Sequence, residues 1–321
     1  MAQEKPMLDF SDPIQWERLP GCPLCGDTRS RSTITASDRH YGNPGIFTFV
    51  ECACCGVYFL NPMPTMAYLS TAYPTDYYAY NFAAPDSSKR FMKKVKRCLR
   101  ILLYFHLETK DPKFLQPGRL LDVGCGNGFF LKPMKEKGWE VHGVEPDNVA
   151  AERGRREGLD IITGFIDQAH YPSEYFDYVR SNHTFEHVRN PREHLKEIRR
   201  IIKPTGYLFI GLPNIRSLAA RIFGRYWWYL CPPVHPFGYC PETLGQLLAS
   251  EGFRVERVSY NSRFAGIFGS LQSYVNRNNG RLAEDGFMVR NPVLMLIGHW
   301  VARATDLLKV GDCIEIIARP Q

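Results

Sequence analysis

The chain has 321 residues, 44% of them hydrophobic, and a formal net charge of +7. This is ample for one large domain with small attachments, and a charge so mild favours acidic partners without specifying one. No apolar run approaches the roughly 20 residues that span a bilayer. The N-terminal stretch MAQEKPMLDFSDP carries acids and a proline where a secretory signal needs a basic start and an apolar centre, so a cytoplasmic location is expected.

In chain order, residues 1–60 come first, as a short-stranded, cysteine-bearing module. Five of the ten cysteines lie within residues 22–55. CPLCG (22–26) and CACCG (52–56) form two C-x2-C-G knuckles, and two such knuckles can set four thiolates tetrahedrally around Zn²⁺. The expected ligands are Cys22, Cys25, Cys52 and Cys55, with Cys54 spare. Four sulfurs leave no open position, so such a zinc is structural. The alternative is a set of buried free thiols. Residues 61–117 read as a connector: YPTDYYAY (73–80), then a basic amphipathic helix, KRFMKKVKRCLRILLYF (89–105). That helix is either the solvated side of a packed element or a contact for anionic lipid, a lipid-linked sugar or a nucleotide diphosphate.

From 118 to 321 strands alternate with helices, which implies a parallel sheet covered on both faces. RLLDVG, WEVHGVEP, LDIITG, FDYVRSNHT and YLFIGLPN read as strands one to five. NPREHLKEIRRIIKPTG reads as a helix with Asn190 as cap and Pro191 at its first position. FRVERVSY and DCIEIIAR are strands six and seven, expected to pair antiparallel at the sheet edge, with residues 261–311 as an inserted segment. Within it, PVLMLIGHWVARATDLL (292–308) is amphipathic and fits the acceptor site, a second subunit or a membrane face. Nothing in the chain points to an oligomeric state.

The first strand runs into GCGNG, where Gly124, Gly126 and Gly128 let the backbone approach a ligand closely. The dinucleotide pattern G-x-G-x-x-G/A fails here, because its third small position is Phe129. Asp122, at the strand's end, suits a ligand carrying an ammonium or sulfonium better than a pyrophosphate. Glu145 ends the second strand, where an acid can accept both ribose hydroxyls of an adenosine ligand. LLDVGCGNG, VHGVEP, YFDYVRSNHTFEHV, HLKEIRRIIKPTGYLFIGLPN and PPVHPFGYCPETLGQLLASEGF, in this order, resemble the class I S-adenosylmethionine (SAM)-dependent methyltransferases over about residues 118–260 and the last strand.

The resemblance implies a Rossmann-like seven-stranded α/β sheet, here behind a small zinc ribbon. It also implies that Asp122, Gly124, Cys125, Gly126 and Gly128 hold the methionine part of SAM. Glu145, with Pro146 after it, would hold the ribose; Gly164 and Phe165 would flank the adenine, and Ser181, Asn182 and His183 would close over the cofactor. Similar cysteine modules precede the SAM domain in methyltransferases of deoxysugar, polysaccharide and natural-product pathways. The expected acceptor is therefore a small molecule, with a hydroxyl of a sugar, glycan or lipid precursor as the best guess.

A hydroxyl acceptor needs a base, and the candidates are His187 and His235. Both also have a bland reading: Glu186 bonds backbone at a helix start while His187 packs, and His235 is a loop histidine bonded for structure. The competing functions are an RNA or other nucleic-acid methyltransferase and a non-catalytic zinc-binding scaffold. Nucleic acid is disfavoured by the lack of basic runs beyond residues 89–100; the scaffold is disfavoured by the intact Asp122 and Glu145 pair.

Overall fold

The computed structural model describes residues 9–12, 15–72, 112, 115–278, 282–284 and 286–321. The tyrosine run at 73–80 and the basic helix at 89–105 lie outside the described residues. The N-terminal part contributes β1 (Trp16–Glu17), β2 (Ser30–Ala36), β3 (Phe47–Cys52), β4 (Tyr58–Leu60), β5 (Met63–Pro64) and the short helix α1 (Met66–Ala72). β2 and β3 are antiparallel, joined through residues 37–46, and β4 continues the meander.

Next come β6 (Arg119–Val123), α2 (Leu131–Glu136), β7 (Glu140–Glu145), α3 (Asn148–Arg156), β8 (Asp160–Thr163), β9 (Phe176–Asn182), α4 (Pro191–Ile201), β10 (Ile202–Pro213), α5 (Leu218–Phe223), β11 (Phe237–Gly238), α6 (Pro241–Ser250) and β12 (Phe253–Tyr260). The chain ends with α7 (Ala265–Val275), α8 (Phe287–Arg290), α9 (Pro292–Leu307) and β13 (Cys313–Pro320).

Local chemistry sets most of these limits. Asp147 starts α3 by accepting the Ala150 amide at 2.7 Å, and Gly158, at φ +77°, lets the chain leave just after it. Pro191 opens α4 as expected, but the Asn190 side chain makes no capping bond. That helix is also shorter than its sequence suggests, because Ile202 already pairs with Phe176 as a strand. Pro204 lacks an amide for a helical bond and pushes Lys203 out of helical geometry, so KPTG becomes an irregular start to β10.

The main sheet has the order β12-β13-β10-β9-β6-β7-β8. β6 to β10 are parallel, whereas β13 runs antiparallel to both β10 and β12. This is the seven-stranded Rossmann-like sheet that the family resemblance implies. Its centre is dry: Phe176, Tyr178, Val179, Leu208, Ile210 and Leu212 are fully buried, as both faces of a parallel sheet must be. The direction of winding reverses between β6 and β9, which opens a crevice at the carboxyl ends of those strands.

The cysteine-bearing part is not a detached bead. β11, from the C-terminal half, pairs with β4 and completes a four-stranded sheet of order β11-β4-β3-β2. Cys22, Leu24, Cys52, Val57 and Phe59 share one hydrophobic core with residues of α4, α6 and the main sheet. Arg192 of α4 donates two hydrogen bonds to the Leu24 carbonyl, at 2.8 and 2.6 Å. The insert packs α9 on α7 and leaves Val293, Ile297 and Trp300 exposed along α9. Among the described residues no helix is long and apolar enough to cross a membrane.

Candidate functional site

Parallel register brings the ends of four strands to one edge. Val123 faces Val144 and Ser181, and Glu145 faces Thr163. The loops that follow therefore converge: Gly124–Gly128, Glu145–Pro146, Gly164–Phe165 and Ser181–His183. All three loop glycines have positive φ, +71°, +54° and +76°. A Cβ on Gly124 would lie 2.3 Å from Thr184 Oγ1, so the segment after β9 lies directly against the glycine turn.

Glu145 is anchored rather than mobile. Its Oε2 accepts the Gly126 amide at 2.8 Å and its Oε1 the Asp147 amide at 2.9 Å. Burial, with the charges of Asp147 and Asp122, raises its pKa despite those amides. Each oxygen keeps a lone pair, so the carboxylate can accept from a ribose diol. Phe165 is 44% exposed beside it, with its amide donating to Gln168, and offers an apolar face to a base.

Asp122 behaves differently from its sequence reading. It is buried, and Arg180 of β9 donates to its Oδ1 at 2.5 Å. The carboxylate is thus not a bare charge facing the ligand's positive end; Arg180 answers it, and Phe130 stacks on that guanidinium at 4.0 Å. Arg180 is a site-shaping residue that sequence reasoning missed, although an arginine inside the apolar run FDYVRSN was the available signal. Ser181 is fully buried, His183 takes φ +53° with its amide bonded to the Gly211 carbonyl, and Cys125 is buried. The backbone cradle, the anchored acid and the exposed aromatic fit an adenosine ligand bearing a short charged tail.

The four candidate zinc ligands come together. Sulfur atoms of Cys22, Cys25, Cys52 and Cys55 all lie within 4.8 Å of one another. The Cys22–Cys55 and Cys25–Cys52 separations are 3.7 and 3.4 Å, close to the roughly 3.8 Å that tetrahedral Zn–S bonds require. Gly26 and Gly56, at φ +77° and +73°, close the two knuckles. The hydrogen bond from Cys22 lowers the pKa of the Cys55 thiol against the effect of burial. Cys54 is exposed and stands outside the four.

His187 and His235 meet although 47 residues separate them. Their rings lie 4.6 Å apart, edge to face. His187 ends a single turn, Phe185–His187, with Nδ1 2.8 Å from the Val234 carbonyl oxygen. His235 holds Nδ1 2.9 Å from the Tyr229 carbonyl oxygen. Burial, then the neighbouring His187, pulls His235 down to about 3. It is therefore neutral at ordinary pH and a poor proton acceptor, which leaves His187 the better candidate base.

Glu186 does not bond backbone as its bland reading has it. Among the described residues neither buried carboxylate oxygen has a hydrogen bond, and His183 Nδ1 stands 3.4 Å from Oε1. Burial opposes its ionisation, but His183 and His187 outweigh it and hold the carboxyl at about 2. A cavity lies beside this group, walled by Phe49, Trp227, Tyr229, Leu230 and Phe237. Asp312 fixes the aromatic loop by accepting from Ser217 Oγ and Trp227 Nε1 at 2.7 and 2.8 Å, and His40 Nε2 reaches the Trp228 carbonyl at 2.7 Å.

Comparison with known proteins identifies the family. The family model described as "Methyltransferase domain" matches residues 88–258, over half the chain. The chain belongs to the methyltransferase domain family. Its fold is that of the class I SAM-dependent methyltransferases, with the cysteine cluster as an addition. Among curated relatives, ubiquinone biosynthesis O-methyltransferase of Cereibacter sphaeroides is 31% identical over 136 residues, 40% of this chain and 55% of the relative. The enzyme of that name from Caulobacter vibrioides is 30% identical over 161 residues, 44% of this chain and 63% of the relative. The chain thus spans little more than half the length of the curated relatives it matches. A solved SAM-dependent methyltransferase from Archaeoglobus fulgidus is 25% identical, covering 73% of this chain and all of that one, with a TM-score of 0.45.

Proposed function

We propose that the protein is a SAM-dependent O-methyltransferase acting on a hydroxyl of a small-molecule acceptor, with a structural zinc at Cys22, Cys25, Cys52 and Cys55. The observation that supports it best is the position of the histidine pair. The turn carrying His187 follows directly from Thr184, which touches the glycine loop, and the aromatic cavity lies next to it. Bound SAM supplies an electrophilic methyl group on a sulfonium.

The chain's own residues do the rest. Gly124–Gly128 and Glu145 orient the donor, and the aromatic loop holds the acceptor away from water. His187 would take the proton that the acceptor hydroxyl loses on methylation, with its Nδ1–H held by the Val234 carbonyl. The cavity is too narrow for a ring as it stands, so the aromatic loop must open for its walls to stack on a sugar face; a hydroxyl of a sugar or glycan precursor remains the preferred acceptor. The relatives named as ubiquinone biosynthesis O-methyltransferases support a second class, a hydroxyl of a quinone precursor.

Incubating the protein with methyl-labelled SAM and a panel of sugar nucleotides, glycolipids and catechols tests this. Labelled methyl ether in a hydroxyl acceptor is the expected product. Label only in amines, or tight SAM binding without transfer to any hydroxyl in the panel, would overturn the reading.

A further inference from the structure

The group formed by Glu186, His187 and His235 has a donor set that proton transfer alone does not explain. One potential ligand atom from each lies within 4.8 Å of the others. The two histidines come from different elements, and each has its Nδ1 directed at a main-chain carbonyl, of Val234 and Tyr229. An Nδ1–H that donates to a carbonyl puts the ring's lone pair on Nε2, and this is how metal-ligating histidines are usually oriented.

Between them Glu186 is only 2% exposed, and among the described residues neither of its oxygens is hydrogen-bonded. The neighbouring histidines are what offset the desolvation of this buried carboxylate, and the two imidazoles and the carboxylate turned toward one another are the donor set of a metal site. His183, at 3.4 Å from Oε1, is 35% exposed and too distant for a hydrogen bond of ordinary length.

We propose that Glu186, His187 and His235 form a second metal site, which binds a divalent transition-metal ion through two imidazoles and one carboxylate. Two histidines and a carboxylate suit zinc, iron or cobalt rather than magnesium or calcium, which prefer oxygen ligands. Three protein ligands leave coordination positions open, unlike the four-sulfur cluster. The cavity bounded by Phe49, Trp227 and Tyr229 adjoins the group, so an acceptor oxygen can occupy such a position and lose its proton more readily there; with the ion bound, His187 is a ligand and that proton leaves to solvent rather than to its ring. The role, not the binding, rests on the hydroxyl acceptor proposed above.

The test strips the full-length chain of metal and titrates it with Co²⁺, followed by absorbance. Cobalt held by four thiolates gives sulfur charge-transfer bands in the near ultraviolet; cobalt held by imidazole and carboxylate gives only weak visible bands. Two equivalents are expected in the unaltered protein, one of each kind. Glu186→Gln and His235→Ala should weaken the second by at least tenfold and leave the first unchanged. SAM binding by calorimetry identifies the variants that fold. If burial makes Glu186→Gln unstable, His235→Ala decides alone.

A single, purely thiolate equivalent in the unaltered protein would overturn the site. So would a second equivalent that persists in a folded variant. A second cobalt without any methylated hydroxyl would leave the site standing and remove the proposed acceptor chemistry instead.

Discussion

Alanine at position 124 separates two costs that the structure makes distinct. Gly124 sits at φ +71°, where a Cβ costs about 1–2 kcal/mol for an L-residue. The new methyl would also lie 2.3 Å from Thr184 Oγ1 and 2.5 Å from its Cγ2. The loop cannot simply retreat, because the Gly124 amide is bonded to the Val144 carbonyl at 2.8 Å. Overpacking of this kind typically adds about 1–3 kcal/mol.

Gly124→Ala should therefore cost about 2–5 kcal/mol in all, shared between folding stability and SAM affinity. Thr184→Gly removes the obstructing atoms and leaves the backbone term. In that background Gly124→Ala should cost only about 1–2 kcal/mol, a coupling of about 1–3 kcal/mol between the two positions. Urea midpoints and SAM calorimetry on the four proteins of the cycle measure it. Costs that agree within about 0.5 kcal/mol in both backgrounds would refute the claim that the segment after β9 rests on the glycine turn.

Other outcomes follow from single contacts. Glu145→Ala should weaken SAM binding by about 1–3 kcal/mol, since a ribose diol loses a charged acceptor; unchanged calorimetry would place the ribose elsewhere. Arg180→Met removes the cationic partner of the buried Asp122 carboxylate and should destabilise the fold by about 3–5 kcal/mol in urea denaturation. Chelation, or Cys55→Ser, should open residues 20–56 to limited proteolysis. Because Phe49 walls the cavity, it should lower acceptor turnover more than SAM affinity. Burial pulls His194 down to about 4. Its contribution is present above pH 6.5 and is lost as pH falls toward 4, about 3 kcal/mol over that window. His194→Leu should flatten the acid limb of a stability–pH curve.

Much of the architecture was readable in the sequence, because it rests on local rules. Strands buried on both faces show as continuous apolar runs, α3 is bracketed by Asp147 and Gly158, and the knuckle glycines follow their cysteines at short range. What escaped is long-range. Glu186 stands one residue from His187, yet what leaves its oxygens without hydrogen bonds is the folding of residues 229–238 over it. Neither the partnership of Asp122 with Arg180 nor the repair of the N-terminal sheet by Phe237–Gly238 has a periodic signature.

The chain order of apolar, glycine and cysteine residues was thus enough to specify the parallel sheet, the glycine turn at its edge and a four-sulfur cluster, since each depends on backbone preferences within a few residues. Only tertiary packing decided which charges are neutralised, which histidines touch, and that the cysteine part shares a core with the sheet. Those outcomes depend on burial and on atoms brought together from distant positions, and neither is encoded at any one of them.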